Sequence, residues 1–176
     1  FTAKKGYEFN DFAVLYRTHA QSRAIEESFI SNGLPYQIVG GIKFYERKEI
    51  KDILAYVKVL VNPTDAISFE RIYNTPVRGL GKTILEKILS ANGKNLIESV
   101  GRLVGNGVRT KQERSLKNLH KLLAGLQKET KNATTSLIKN IIKTTDYEEY
   151  LKSLSASKND AYANFDERME NLKELM

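Results

Sequence analysis

The chain has 176 residues, 41% of them apolar, with 28 Lys and Arg against 21 Asp and Glu, a formal charge of +7, two histidines and no cysteine. That length supplies the core of one ordinary domain or two small ones, and the absence of cysteine excludes disulfides and thiolate metal sites and suits a reducing interior. The apolar runs fall far short of the roughly 20 residues a membrane helix needs, His19 and His120 have no partner pattern for zinc, and the charge suits a polyanion. We therefore expect a soluble protein, and Phe1 at the start suggests a piece of a longer one.

In chain order, FAVLYRT (12–18) is a β-rich run. AQSRAIEESFISNG follows, with Ile25, Phe29 and Ile30 at helical spacing and Gly33 as a stop. YQIVGG (36–41) reads as a second strand. Strand, helix, strand predicts a βαβ unit with parallel strands, an incomplete edge of a larger sheet. Beyond Gly41 the pattern turns helical. Ile50, Ile53, Leu54, Val57, Leu60 and Val61 form one stripe ended by Pro63. SFERIYNT, TILEKILSANG, NLIESVGRLVG, QERSLKNLHKLLAGLQ and TTSLIKNIIKTTDYEEYLKSL each carry a stripe of their own. SASKND (155–160) reads as a loop, and 161–176 as a last helix with Tyr162, Phe165, Met169, Leu172 and Met176 inside.

Charge is uneven. Between Arg102 and Lys131 eight bases (Arg102, Arg109, Lys111, Arg114, Lys117, Lys121, Lys128, Lys131) face two acids, Glu113 and Glu129. This stretch reads either as a solvated helix face or as a row of phosphate contacts.

The segment TPVRGLGKTILEKI (75–88) ends in Gly-Lys-Thr before a helical pattern. A nucleotide loop needs its first glycine at position 76, which is Pro76, and a buried strand in front of it. Two readings remain. Gly79 and Gly81 permit unusual backbone angles in a tight turn while Thr83 caps the next helix; or the same turn presents N–H groups at a helix N-terminus, flanked by Arg78 and Lys82, to a DNA phosphate. Tyr16 and Tyr36 read as core, Phe44 and Tyr45 as a domain joint or a base-stacking pair, and Arg17 as an ion-pair partner of Glu26 or Glu27 or as a ligand group at a strand end.

Three stretches together resemble the UvrD/PcrA/Rep branch of superfamily 1 DNA helicases. FAVLYRTHAQSRAIEE resembles motif IVa, with His19 where Asn is more usual; PYQIVGGIKFYERKEIKDILAYVKVLVNP resembles motif IVb; RIYNTPVRGLGKTILEKI is similar to the segment with the duplex-contacting GIG hairpin, here with Leu80 in the middle. The match is close over about residues 10 to 90 and holds beyond only by pattern. It implies an ATP-driven, Mg²⁺-dependent motor moving 3′ to 5′ on single-stranded DNA, with RecA-like domains 1A and 2A and inserted helical domains 1B and 2B. Residues 1–42 would belong to 2A, and residues 43–176 would form most of 2B, with a helix-hairpin-helix-like turn at 75–83.

The fold expected is thus mainly α, a helical 2B-type domain preceded by an incomplete βαβ piece of a RecA-like domain. By resemblance, Lys51, Lys58, Thr75, Arg78, Gly79, Gly81, Lys82 and Thr83 would touch DNA, and Tyr16, Arg17, Gln21 and Arg23 would carry motif IVa. Lys58 stands where an arginine is common. The ATP motifs of the family have no counterpart in these residues, so the fragment is expected to be inactive and to bind neither ATP nor Mg²⁺. The expected partners are a duplex with a 3′ single-stranded tail, the missing domains 1A, 1B and the rest of 2A, and repair, replication or transcription proteins, in a bacterial cytoplasm at the nucleoid. The rival reading is a helical protein-interaction domain with a structural Gly-x-Gly turn.

Overall fold

The computed structural model describes residues 6–18, 21–105, 110–156 and 165–176. His19, Arg109, the Lys111 side chain, Tyr162 and the 157–164 part of the expected loop and last helix lie outside the described residues. Nine α-helices run in order among those described: α1 (Ser22–Ser31), α2 (Lys48–Val61), α3 (Ala66–Ile72), α4 (Lys82–Ser90), α5 (Leu96–Leu103), α6 (Thr110–Gln127), α7 (Thr134–Thr144), α8 (Tyr147–Ala156) and α9 (Phe165–Leu175). Short 3-10 turns sit at Phe9–Asp11 and Phe44–Glu46.

Local chemistry sets the helix ends. Gly33, at φ +64°, closes α1 with paired bonds from its own N–H to the Ile30 carbonyl and from the Leu34 N–H to that of Phe29, a left-handed stop that glycine makes without strain. Asp65 caps α3 through the Ser68 N–H and Asn95 caps α5 through that of Glu98. The stripe over 134–154 predicted one continuous helical segment. The structure breaks it at Thr145 and Asp146, the latter at φ +54°, a conformation that Asp tolerates better than most residues.

Helix α2 is the axis of the body and packs against α3, α6, α7 and α9. Its Ile50, Ile53, Tyr56, Val59 and Leu60 join Phe69, Ile72, Leu80, Ile88, Leu116, Leu119, Leu123, Ile141, Tyr147 and Leu151 in one core. Where α5 crosses α6, a side chain on Gly101 would meet the His120 ring at 2.8 Å, so this histidine is a packing residue.

The βαβ expectation is not met among the described residues. The runs at 12–18 and 36–41 lie on either side of α1, form no ladder with each other and bend at 17–18 and at 39–41, with Gly40 at φ +77°. An isolated pair of parallel strands has too few bonds and too little buried face to stand alone. Leu15 and Val39 are accordingly 94% and 90% exposed.

Candidate nucleic-acid interface

Between α3 and α4 the chain makes a hairpin organised by Asn74, a residue the motif reasoning passed over. Its side-chain oxygen accepts the N–H groups of Arg78 (2.7 Å) and Leu80 (3.2 Å). The Leu80 side chain is fully buried and pins the tip to the core. Asn ahead of a Thr-Pro pair is a legible turn signal. The Thr75–Pro76 peptide bond is cis.

Arg78 turns inward rather than outward. Its guanidinium donates to the carbonyls of Ile72 (2.9 Å), Tyr73 (3.3 Å) and Thr75 (3.0 Å), and to the Tyr56 hydroxyl (2.5 Å), which in turn donates to the Thr75 carbonyl. A cation on the last carbonyls of α3 satisfies groups that a helix end leaves open and complements the helix dipole. Burial pushes the Tyr56 phenol up, against the pull of Arg78.

The two glycines differ. Gly79, at φ +70°, needs its freedom. Gly81 has φ −80° and ψ 175°, extended backbone open to any residue, and a Cβ placed there would meet nothing within 4 Å. Its smallness serves nothing inside the described chain. Gly81, not Thr83, is the N-cap of α4, and no side chain caps this helix. The N–H groups of Gly81, Lys82 and Thr83 find no acceptor among the described residues, and all three residues are exposed. No acid occupies the first turn, where Lys82 stands instead. A cation at the positive end of a helix is unfavourable unless an anion joins it. At this corner the first N–H groups of α4 thus face solvent beside an exposed ammonium.

It is not a nucleotide loop. Lys82 opens α4 and Pro76 takes the place of the first glycine, and what precedes is a helix and a hairpin, not a strand.

Lys51 and Lys58 lie exposed on one side of α2 and form no ion pair among the described residues, although the Lys58 charge helps hold the Asp65 carboxyl down, after the Ser68 hydrogen bonds. At about 100° per residue they sit roughly 150° around the helix from Tyr56, so they do not share a side with the hairpin base. Of the motif residues, Gln21 folds back to accept the N–H groups of Arg17 and Thr18. Arg23 pairs with Glu27 at 2.8 Å and lies over the Phe44 ring. Tyr16 is half-buried near Arg47. Arg17 is exposed and makes no ion pair with Glu26 or Glu27 among the described residues.

Phe44 is fully buried, and Tyr45, 39% exposed, donates its hydroxyl to Glu27 at 2.6 Å, so both rings are held by the chain's own residues. Below them runs a buried polar chain. Glu26 accepts the Ser22 hydroxyl, the Tyr36 hydroxyl and the Phe44 N–H. Arg47 reaches both Ser22 and Asn171, and Asn171 passes its amide hydrogen to Glu49 at 2.6 Å. The second buried cluster centres on Asp52, which receives Lys48 (2.8 Å), Arg71 (2.7 Å) and the Tyr147 hydroxyl (2.7 Å).

Residues 2–176 match the family model described as the UvrD-like helicase C-terminal domain. The chain is 45% identical over 150 residues to the ATP-dependent DNA helicase PcrA of Bacillus subtilis (strain 168), an alignment covering 83% of this chain and 20% of that protein. It is 34% identical over 177 residues to the protein of the same name in Staphylococcus aureus (strain Mu50 / ATCC 700699), and 37% identical over 176 residues to that of Leuconostoc citreum; each alignment covers 98% of this chain and 23% of the relative. The chain thus spans about a fifth of the length of the curated relatives it matches.

Proposed function

The chain belongs to the UvrD-like helicase C-terminal domain family, and on that premise we propose that it is the duplex-gripping part of an ATP-dependent DNA helicase that moves 3′ to 5′. Residues 1–42 are assigned to domain 2A and residues 43–176 to domain 2B. ATP and Mg²⁺ act in the rest of the protein, and the chain by itself binds neither and unwinds nothing. Its ligand is a duplex with a 3′ single-stranded tail. Rotation of the helical body about the joint at Phe44–Arg47 would regulate unwinding, and proteins of repair, replication or transcription would recruit the whole in the bacterial cytoplasm. The apolar side chains exposed on residues 7–42 are where we place the packing of the remaining 2A sheet.

The observation that carries this reading is Gly81. Nothing in the described chain requires a glycine there, whereas a phosphate seated on the N–H groups of Gly81, Lys82 and Thr83 would. The contact is to backbone phosphate and so carries no base preference. Arg78 and Thr75 hold the hairpin in shape, while Gly81, Lys82 and Thr83 meet the strand. Lys51 and Lys58 offer a separate pair of ammonium groups, each a point charge on phosphate.

The test is fluorescence anisotropy of the chain against a 3′-tailed duplex. Gly81→Ala should lower the thermal melt only slightly, alanine being a poorer N-cap than glycine, and weaken binding roughly tenfold, the scale of one charged hydrogen bond lost. Arg78→Ala should lower the melt more. Equal affinity of Gly81→Ala and wild type would sink the phosphate-seat reading, and a wild type without salt-dependent duplex binding would favour the protein-interaction domain.

A further inference from the structure

We propose that the outer face of α6 is a second phosphate track, which continues the strand gripped at the hairpin; this rests on the duplex reading above. Arg114, Lys117, Lys121 and Lys128 are all exposed and form no ion pair among the described residues. Arg114, Asn118, Lys121 and Gly125 follow one another at steps of three or four and so form a single stripe about 16 Å long on α6, with Lys128 in the turn just past its last residue. That stripe corresponds to about five base-pair steps along a duplex.

Continuity with the hairpin is seen in the groove beside it. Pro76, Val77 and Arg78 form one wall, and Ser115, Asn118 and Leu122 of α6 stand across from them. A neighbouring hollow that shares Asn118, Leu122 and Thr144 takes in Lys121, Gly125 and also Glu129. Asp146 and Glu149 line the first groove on the side of α8, so acids at both ends of the groove repel phosphate, and a strand would ride the crest of α6 instead.

Gly125 is the independent observation. It is an exposed position in the last turn of α6, a helix whose other side is buried, and glycine within a helix costs up to about 1 kcal/mol relative to alanine. A Cβ there would meet nothing within 4 Å and its φ is not positive. Neither backbone geometry nor packing within the chain calls for it, as is also true of Gly81. A bare backbone between Lys121 and Lys128 lets a sugar-phosphate strand come close.

The experiment measures duplex affinity of the chain over a series of salt concentrations. The triple variant Lys117→Gln, Lys121→Gln, Lys128→Gln should lower the slope of log Kd against log salt by about 3 and weaken binding at moderate salt roughly ten- to a hundredfold. Gly125→Ala should bind several-fold more weakly while melting at a higher temperature, a combination that a purely structural glycine would not give. If wild type binds, Gly81→Ala weakens it and both α6 variants keep the wild-type slope, the track is refuted while the hairpin grip stands. Wild type that does not bind duplex removes both. Wild type that binds polyglutamate as tightly as duplex, through the same three lysines, makes the stripe a face for an acidic protein and overturns the proposal.

Discussion

Residues 7–42 and the helices from Lys48 onward both carry many large apolar side chains, yet they treat them in opposite ways. In the helical body, α2 lies among four other helices and its Ile50, Ile53 and Val59 lose all contact with water. In the N-terminal region Phe9, Phe12, Val14, Leu15, Val39 and Ile42 remain more than half exposed. What this region does bury is polar: Ser22 and Glu26 of α1, tied to Arg47. Burial is thus a property of available neighbours more than of side-chain type, because apolar surface leaves water only where another surface meets it. The body buries its apolar side chains among its own helices, whereas the described N-terminal region meets it largely through hydrogen bonds and the buried Phe44 ring.

Substitutions can break or sharpen this contrast. The largest effect should come from Asp52→Ala. It leaves Lys48 and Arg71 facing one another in a partly buried site and removes the acceptor of the Tyr147 hydroxyl. A loss of about 3–5 kcal/mol is expected for half of a buried ion cluster, measured by urea unfolding; a loss below 1 kcal/mol would show that water replaces the carboxylate.

A matched pair of leucines comes next. Leu123→Ala, at a position fully shielded from water, should cost about 2–5 kcal/mol. Leu15→Ala, at a 94% exposed position, should stay within about 0.5 kcal/mol. Similar costs for the two would mean that the N-terminal region finds a partner surface in solution, for instance a second copy.

The smallest effect is that of alkali. Burial first, then the charge and hydrogen bond of Asp52, push the Tyr147 phenol far above its ordinary range. Lys48 is pulled down by burial but raised more by Asp52 and Tyr150. Both folded-state values are raised, so the stability these groups give is complete below their unfolded values of about 10 and falls as pH rises beyond, because only the unfolded chain then releases the proton. The urea midpoint should be flat to about pH 9 and decline above about pH 10. Tyr147→Phe should flatten that decline, and an unchanged decline would assign it to other groups.

The helical body was largely legible in the sequence, because stripes such as Ile50–Ile53–Leu54–Val57 have one period and one buried side. Three kinds of feature were not. The break at Thr145–Asp146 carries neither glycine nor proline, and the apolar spacing runs through it undisturbed. The burial of Arg47, Glu49, Asp52 and Asn171 was not legible, because a polar side chain reveals its burial only through partners, and several of these lie 95 to 124 residues away. In the hairpin the turn and its glycines were legible, but the direction of Arg78 was not; it depends on where the carbonyls of α3 end. Residues 12–18 and 36–41 have the composition of strands, and a strand needs a neighbour that the local sequence cannot supply.

The carboxylates of α2 also set an order on the birth of the molecule. Glu49 is completed by Asn171, 122 residues later, and Asp52 by Tyr147, 95 residues later. At roughly 5–20 residues per second on the ribosome, Asp52 emerges on the order of 5 to 20 seconds before its tyrosine. Throughout that interval the central helix holds acids whose final partners are not yet made, and it has no dry place to put them. The central helix therefore completes its buried polar contacts only once α9 has been made.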